Sequence, residues 1–430
     1  MSQTVAIPAA LPARRGGNAI VIIGMLFFIF GFVTWLNSTL IPFLKLTCQL
    51  TSDVQAFFVT SAFYMSYFFL GMPSSVILKK TGFKNGMAWG LVVMALGSLI
   101  FIPAAQARSF PLFLLGLFVQ GSGLTLLQTA SNPYVTILGP IQSAARRISI
   151  MGICNKGAGA LSPLILGALV LKGADALEGK INAATGDLKD QLLNEMAGRI
   201  IPPYIVMALV LIALAIAIRL SSLPEIDTEK ESATAKSDTR TNVFQYPHLV
   251  LGFICLFFYV GVEVMAGDAI VIYGRSMGMS LATAKYFPSF TMGAMLLGYI
   301  VGIFTVPKYM SQQVGLKLSA ILGIAFSIGA VLSHGYVSIG FVVLLGLANA
   351  LMWPAIWPLA IDGLGKFTKI GSGLLVMGIA GAATIPPLYG KLKDIPAIGN
   401  NLAYFICVLF CYLFILYYSI FGYKVGRSKL

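Results

Sequence analysis

GLTLLQTASNPYVTILGP, from Gly123 to Pro140, is the stretch on which the reading of this chain turns. It closes a run with no Lys, Arg, Asp or Glu between Phe110 and Ala145. Crossing a bilayer takes about 20 apolar residues, and this run is longer. Yet it carries Thr125, Gln128, Thr129, Ser131 and Asn132, followed by the helix-perturbing Pro133. Gln128 and Asn132 are four apart and share one helical face. An amide left unpaired in hydrocarbon costs on the order of several kcal/mol, so both must find partners. Two partners suit them. One is a neighbouring helix. The other is a polyhydroxylated solute, whose hydroxyls match amides that both donate and accept.

The rest of the chain has the same character. Of 430 residues, 58% are hydrophobic and 10% charged, against about 25% charged in soluble domains. The pattern predicts an all-α, polytopic membrane protein with twelve spans, near 18–45, 52–78, 83–105, 109–138, 145–171, 200–220, 247–273, 282–306, 313–333, 336–363, 369–390 and 399–423. No cleavable signal is expected, because residues 1–17 hold only short apolar pieces before Arg14 and Arg15. The formal charge of +14 does not point to nucleic acid, since the basic residues sit mostly in short loops. Eighteen Lys and Arg fall on the side holding both termini and ten on the other, which predicts cytoplasmic termini in a cell membrane.

Two loops are long. Residues 172–199 are expected outside and partly helical. Residues 221–246, rich in Asp, Glu, Lys, Ser and Thr, read as a cytoplasmic linker between six-span bundles at 1–220 and 247–430. The halves repeat weakly. FFIFG at Phe27 matches FFYVG at Phe257. Setting Pro133 on Pro358 also pairs Gly121 with Gly346, and MGI recurs at Met151 and Met377. Three matches six spans apart predict two pseudo-symmetric bundles with a solute site between them, near mid-membrane.

Longer strings add a family resemblance: SAFYMSYFFLGMPSSVILKKTGFKNG from Ser61, QTASNPYVTILGP from Gln128 and RRISIMGICNKGAGALSPLILG from Arg146. The chain resembles the major facilitator superfamily, in particular its fucose permease and glucose–galactose transporter family, and ICNKGAG points to the glucose–galactose branch. The resemblance covers nearly the whole chain and implies alternating access to a central site. Fucose-type relatives carry proton-linked carboxylates in spans 1 and 4. Here Ser38 and Gln128 stand at those places. The loop between spans 2 and 3 also has Lys79 where the wider superfamily has an acid, so that gating network is not carried over.

Four ionisable residues fall within predicted spans: Lys156, Glu263, Asp268 and, near the inner end, Asp362. Each costs about 3 kcal/mol or more at a helix centre unless paired or solvated, which makes them functional candidates. Lys156 lies nine residues beyond Arg147, about 14 Å into a core about 30 Å thick, at the depth of Gln128. A carboxylate partner for it is expected. By the repeat, Asp268 is the counterpart of Ser38. Glu263 lies five residues earlier, about 140° away around a helix, so the two acids are read as separate sites. Asn349, Trp353 and Trp357 recur every four residues and are expected on one face, with an indole as platform for a pyranose ring. Trp35 is central too, but Asn37 beside it is the expected inward residue. Tyr64 and Gln120 are candidates for a supporting role. Trp89 is expected to face lipid.

The expected function follows. A monomer imports a monosaccharide of the glucose or galactose class through a site of Asn37, Ser38, Gln128, Asn132, Asn155, Trp353 and Trp357. Glu263 or Asp268 carries the coupling cation, with Lys156 as electrostatic partner. Na⁺ is favoured over H⁺, because the proton positions are missing and the resembling branch includes sodium-coupled members. A bacterial inner membrane is the expected location. The rivals are a proton-coupled fucose-type symporter, an exporter of an amphipathic compound, and a non-transporting sugar sensor. No nucleophile–base pair, phosphate loop or metal cluster supports an enzyme or a resident cofactor. The five cysteines read as packing residues, and His248 and His334 sit at helix ends without assigned chemistry.

Overall fold

The structure, a computed structural model, describes residues 13–137, 144–221, 223, 241–306, 308–364 and 367–427. Most of the 221–246 linker and the side chains of Lys79, Asn132, Arg146 and Arg147 lie outside the described set. The described residues form helices and connecting turns, with no strand. Among the described residues, twelve helices are long and apolar enough to cross a membrane.

In the first half, span 1 is Ala13–Thr34 continued by Asn37–Thr47. Span 2 is Asp53–Thr81, span 3 Phe83–Gln106, span 4 Phe110–Ile137, span 5 Ala144–Val170 and span 6 Ile201–Leu220. In the second half, span 7 is Pro247–Gly267 continued by Ile270–Ser276, and span 8 is Leu281–Ala284 with Phe287–Thr305. Span 9 is Gln312–Leu332, and span 10 is Gly335–Asn349 with Met352–Ile361. Span 11 runs through Thr368–Met377, a short 3₁₀ turn and Gly381–Lys393, and span 12 is Gly399–Ile420. The predicted spans match these within a few residues. The loop after span 5 is helical, as expected, at Ala174–Ala183 and Gly186–Gly198.

Local chemistry sets the ends. Ser52 and Ser311 cap spans 2 and 9, their hydroxyls accepting from the N–H groups of Gln55 and Val314 at 3.2 and 3.3 Å. Pro247 starts span 7, where a missing N–H costs nothing.

Packing between the halves has a two-fold pattern: span 2 lies on span 11, and span 5 on span 8. The weak repeat marks close approaches of the same kind. A Cβ at Gly121 would collide with the Phe63 carbonyl of span 2, and one at Gly346 with the Thr291 carbonyl of span 8. Without a water-driven hydrophobic force in lipid, such backbone contact supplies much of the packing attraction. Spans 1 and 7 are both interrupted. Setting Phe27 on Phe257 places Trp35–Leu36 within a turn of Asp268–Ala269, so the two breaks are equivalent. Trp89 faces outward, 55% exposed.

Asp362 corrects one expectation. It does not lie inside span 10 but ends it, exposed and paired with Arg427 at 2.8 Å. Gly363 behind it takes φ +77, which stops the helix there.

Candidate transport site

A cavity of about 170 Å³ lies between the halves. Its wall uses the part of each span nearer the termini: Phe27 to Trp35 of span 1, Gln128 and Val135 of span 4, Ile148 to Lys156 of span 5, and Trp353 to Pro358 of span 10. It therefore reaches from mid-depth towards the face that carries the termini.

The opposite face is closed by charge pairs between the halves. Asp53 of span 2 takes Lys393 of span 11 at 2.5 Å, and Lys45 as well. Arg275 at the end of span 7 reaches Glu178 at 2.9 Å and Asp175 at 3.3 Å, both on the helix after span 5. Asp175 also accepts the backbone N–H groups of Leu281 and Ala282 at 2.8 and 2.7 Å.

At the deep end, Lys156 meets Glu263 at 2.6 Å, each side chain about 10% exposed. The pair joins span 5 to span 7, and so one half to the other. Taking two charges out of water is expensive, and the close 2.6 Å contact offsets part of that cost. The ammonium also lies 4.7 Å from the centre of the Trp35 ring, where the π face attracts it. Trp35 is wedged between spans: a Cβ at Gly159 or at Gly267 would run into its indole. Glycine at both positions is what lets this ring sit at the crossing.

Trp353 and Trp357 stack with centroids 5.4 Å apart and planes at 23°, and Tyr259 lies 6.3 Å from Trp353. Asn155 donates weakly to the Phe27 carbonyl at 3.4 Å and lines the cavity. Gln128 lines it without a hydrogen bond to any described residue. The cavity thus offers amides, flat indoles and one neutralised ion pair.

A family profile of the Major Facilitator Superfamily matches residues 23–387, most of the chain.

The chain belongs to the Major Facilitator Superfamily.

Within that superfamily it is 34% identical over 414 residues to the glucose/galactose transporter of Brucella abortus biovar 1 (strain 9-941), covering 96% of this chain and 95% of that one. It is 28% identical over 386 residues to the L-fucose-proton symporter of Escherichia coli (strain K12), covering 87% and 86%. Among solved structures, the superfamily transporter FucP in its outward conformation matches with a TM-score of 0.73 and 25% identity, over 96% of this chain and 99% of that one. The family and these relatives are membrane transporters, not enzymes.

Not every expected residue reaches the cavity. Gln128, Asn155, Lys156, Glu263, Trp353 and Trp357 do. Asn37 and Ser38 do not: they are buried at the break in span 1, and the Ser38 hydroxyl donates to the Trp35 carbonyl at 2.8 Å. The break turns Trp35, not Asn37, towards the cavity. Asp268 is fully buried beside the cavity and not in its wall. Glu263, five residues earlier, does line the wall. Asn349 does not share a face with the indoles. Span 10 breaks after it, and its amide accepts from Tyr412 at 2.8 Å in the packed interior. Gln120 donates to Ser98 at 2.9 Å between spans 3 and 4, away from the site. Tyr64 lines the cavity. Sequence reasoning did not single out Tyr259, although it sits four residues before Glu263 on one helical face, a signal that was available.

Proposed function

We propose that this chain carries a hexose of the glucose or galactose class across a cell membrane by alternating access, coupled to a cation. The observation that carries this reading is the amide-and-indole cavity at mid-depth between the halves. Gln128 and Asn155 are placed to pair with hydroxyls, and Trp353 with Trp357 to cover an apolar sugar face. Asn132 belongs to the same face of span 4 by its spacing. An exporter of greasy compounds would be better served by a cavity without these amides. The glucose/galactose name of the 34%-identical relative supports the same substrate class.

The terminal face is the cytoplasmic one by the Lys and Arg distribution, so the structure corresponds to an inward-facing carrier. The chain acts as a monomer in a bacterial inner membrane. The coupling ion is Na⁺ in preference to H⁺, held at Glu263 or Asp268 with Lys156 as partner. Glu263 is already neutralised by Lys156, which favours Asp268. The L-fucose-proton symporter relatives favour the alternative, a proton. Counterflow of labelled glucose in proteoliposomes tests the carrier reading. Gln128→Ala is expected to weaken it at least about tenfold, the ~1.4 kcal/mol of one or two lost amide–hydroxyl bonds. Unchanged counterflow in Gln128→Ala removes this residue, and absent wild-type counterflow removes the reading.

A further inference from the structure

Spans 1 and 7 are both broken, and the breaks face each other. Gly267, the last helical residue before the break in span 7, lies against the Trp35 ring at the break in span 1. Around this contact three buried polar side chains lack hydrogen-bond partners among the described residues. Asp268 is fully buried, and neither carboxylate oxygen has a hydrogen-bond partner among the described residues. Its carboxyl lies near the backbone N–H of Ser38. Asn37 is 1% exposed, with both amide atoms unsatisfied among the described residues. Its amide lies beside the Tyr64 hydroxyl, which is buried and unsatisfied too.

The charge at this place does not balance. The other ionised groups within electrostatic range of Asp268 are Lys156 and Glu263, and these neutralise one another. An ionised Asp268 carboxylate would stand without a counter-charge in a dry interior, so the site is completed either by a proton or by a bound cation. Carboxylate and amide oxygens are ligands for a hard cation, and the neutral phenol oxygen is a weaker donor beside them. One carboxylate matches a single positive charge. Divalent sites of the calcium type recruit several. A proton would satisfy one oxygen, whereas a metal ion gathers all of them at once.

We propose that Asp268, Asn37 and Tyr64 form a Na⁺ site shared by the two halves, at the crossing of the broken spans 1 and 7. The proposal rests on the coupled-carrier reading and names its ion site. Asn37 and Tyr64 belong to the first half and Asp268 to the second, so the ligand set is complete only while the two meet. An ion bound there favours the conformation closed on the face opposite the termini. Tyr64 also lines the sugar cavity, which puts the ion and the sugar on two sides of one ring. Seating of the sugar and seating of the ion are thereby linked.

The test is a NaCl titration of the purified protein in nanodiscs, with choline replacing Na⁺ at constant pH, read by intrinsic tryptophan fluorescence. Trp35 sits at the crossing and reports on it. The wild type is expected to show a saturable change. Asp268→Asn abolishes it, and Tyr64→Phe and Asn37→Ala each raise the half-saturating concentration about tenfold or more. Should Asp268→Asn fail to fold, the other two variants decide, and unchanged half-saturation in both overturns the site. So does a response retained in Asp268→Asn, or a response produced by pH and not by Na⁺. Counterflow of labelled glucose by the wild type without any ion gradient tests the carrier reading separately. Counterflow without a Na⁺ response sinks only the ion site.

Discussion

Replacing Asp175 by alanine should open the face opposite the termini. Its carboxylate accepts two backbone N–H groups, from Leu281 and Ala282, and meets Arg275 at 3.3 Å, all across the junction of the halves. Losing a carboxylate that caps backbone N–H groups costs about 1 kcal/mol, within a range of roughly 0.5–2. The Arg275 pair is a third exposed, so solvent screening limits it to about 0.2–1 kcal/mol. Together these give about 1–2.5 kcal/mol, and at 1.4 kcal/mol per tenfold the equilibrium moves roughly five- to sixty-fold. A minor population of about 1% open at this face would rise to roughly 5–40%. Spin labels at Ala107 and His334, on loops of different halves at this face, read the distance in a cysteine-free background. The long-distance population should grow in Asp175→Ala to that level. An unchanged distribution would refute the reasoning that these bonds hold the face shut.

Three further outcomes are expected. Lys156→Met and Glu263→Gln should each destabilise the protein by about 3 kcal/mol or more, because each leaves a buried charge unpaired, while the double variant recovers most of the loss. Additive losses in a denaturant series would show that the pair does not act as a unit. Gly267→Ala should cut transport steeply, since its new methyl meets the Trp35 ring, whereas Gly293→Ala, with open space around it, should not. Equal effects in the two would contradict the close crossing of spans 1 and 7. Trp353→Ala should raise the half-saturating glucose concentration about tenfold, from loss of a flat wall worth ~1–1.5 kcal/mol. An unaltered value in counterflow would place the sugar elsewhere.

Much of this architecture is legible in the sequence. Span lengths follow from bilayer thickness, so charge-free runs such as Phe110 to Ala145 announce themselves. Small residues at the same place in both halves, Gly121 and Gly346, marked real helix contacts because only glycine admits the facing carbonyl. A lone lysine at mid-depth needs a carboxylate, and Glu263 was on hand. What stayed hidden depends on helix breaks. Nothing in FFIFGFVTWLNS fixes where span 1 stops, so Asn37 was placed inward where Trp35 stands. The same cause moved Asn349 off the face of Trp353 and Trp357. Partners far apart in sequence, such as Asp175 with Leu281, are set by how the halves meet, which no local pattern encodes.

In the proposed cycle an ion gradient drives a hexose through the cavity between the halves. Labelled glucose uptake into proteoliposomes tests it most directly, with an inward Na⁺ gradient at equal pH compared against an inward proton gradient without Na⁺. Na⁺ should concentrate the sugar, and protons alone should not. Accumulation driven by protons alone would contradict the choice of ion, and no accumulation of glucose or galactose under either gradient would contradict the claim itself.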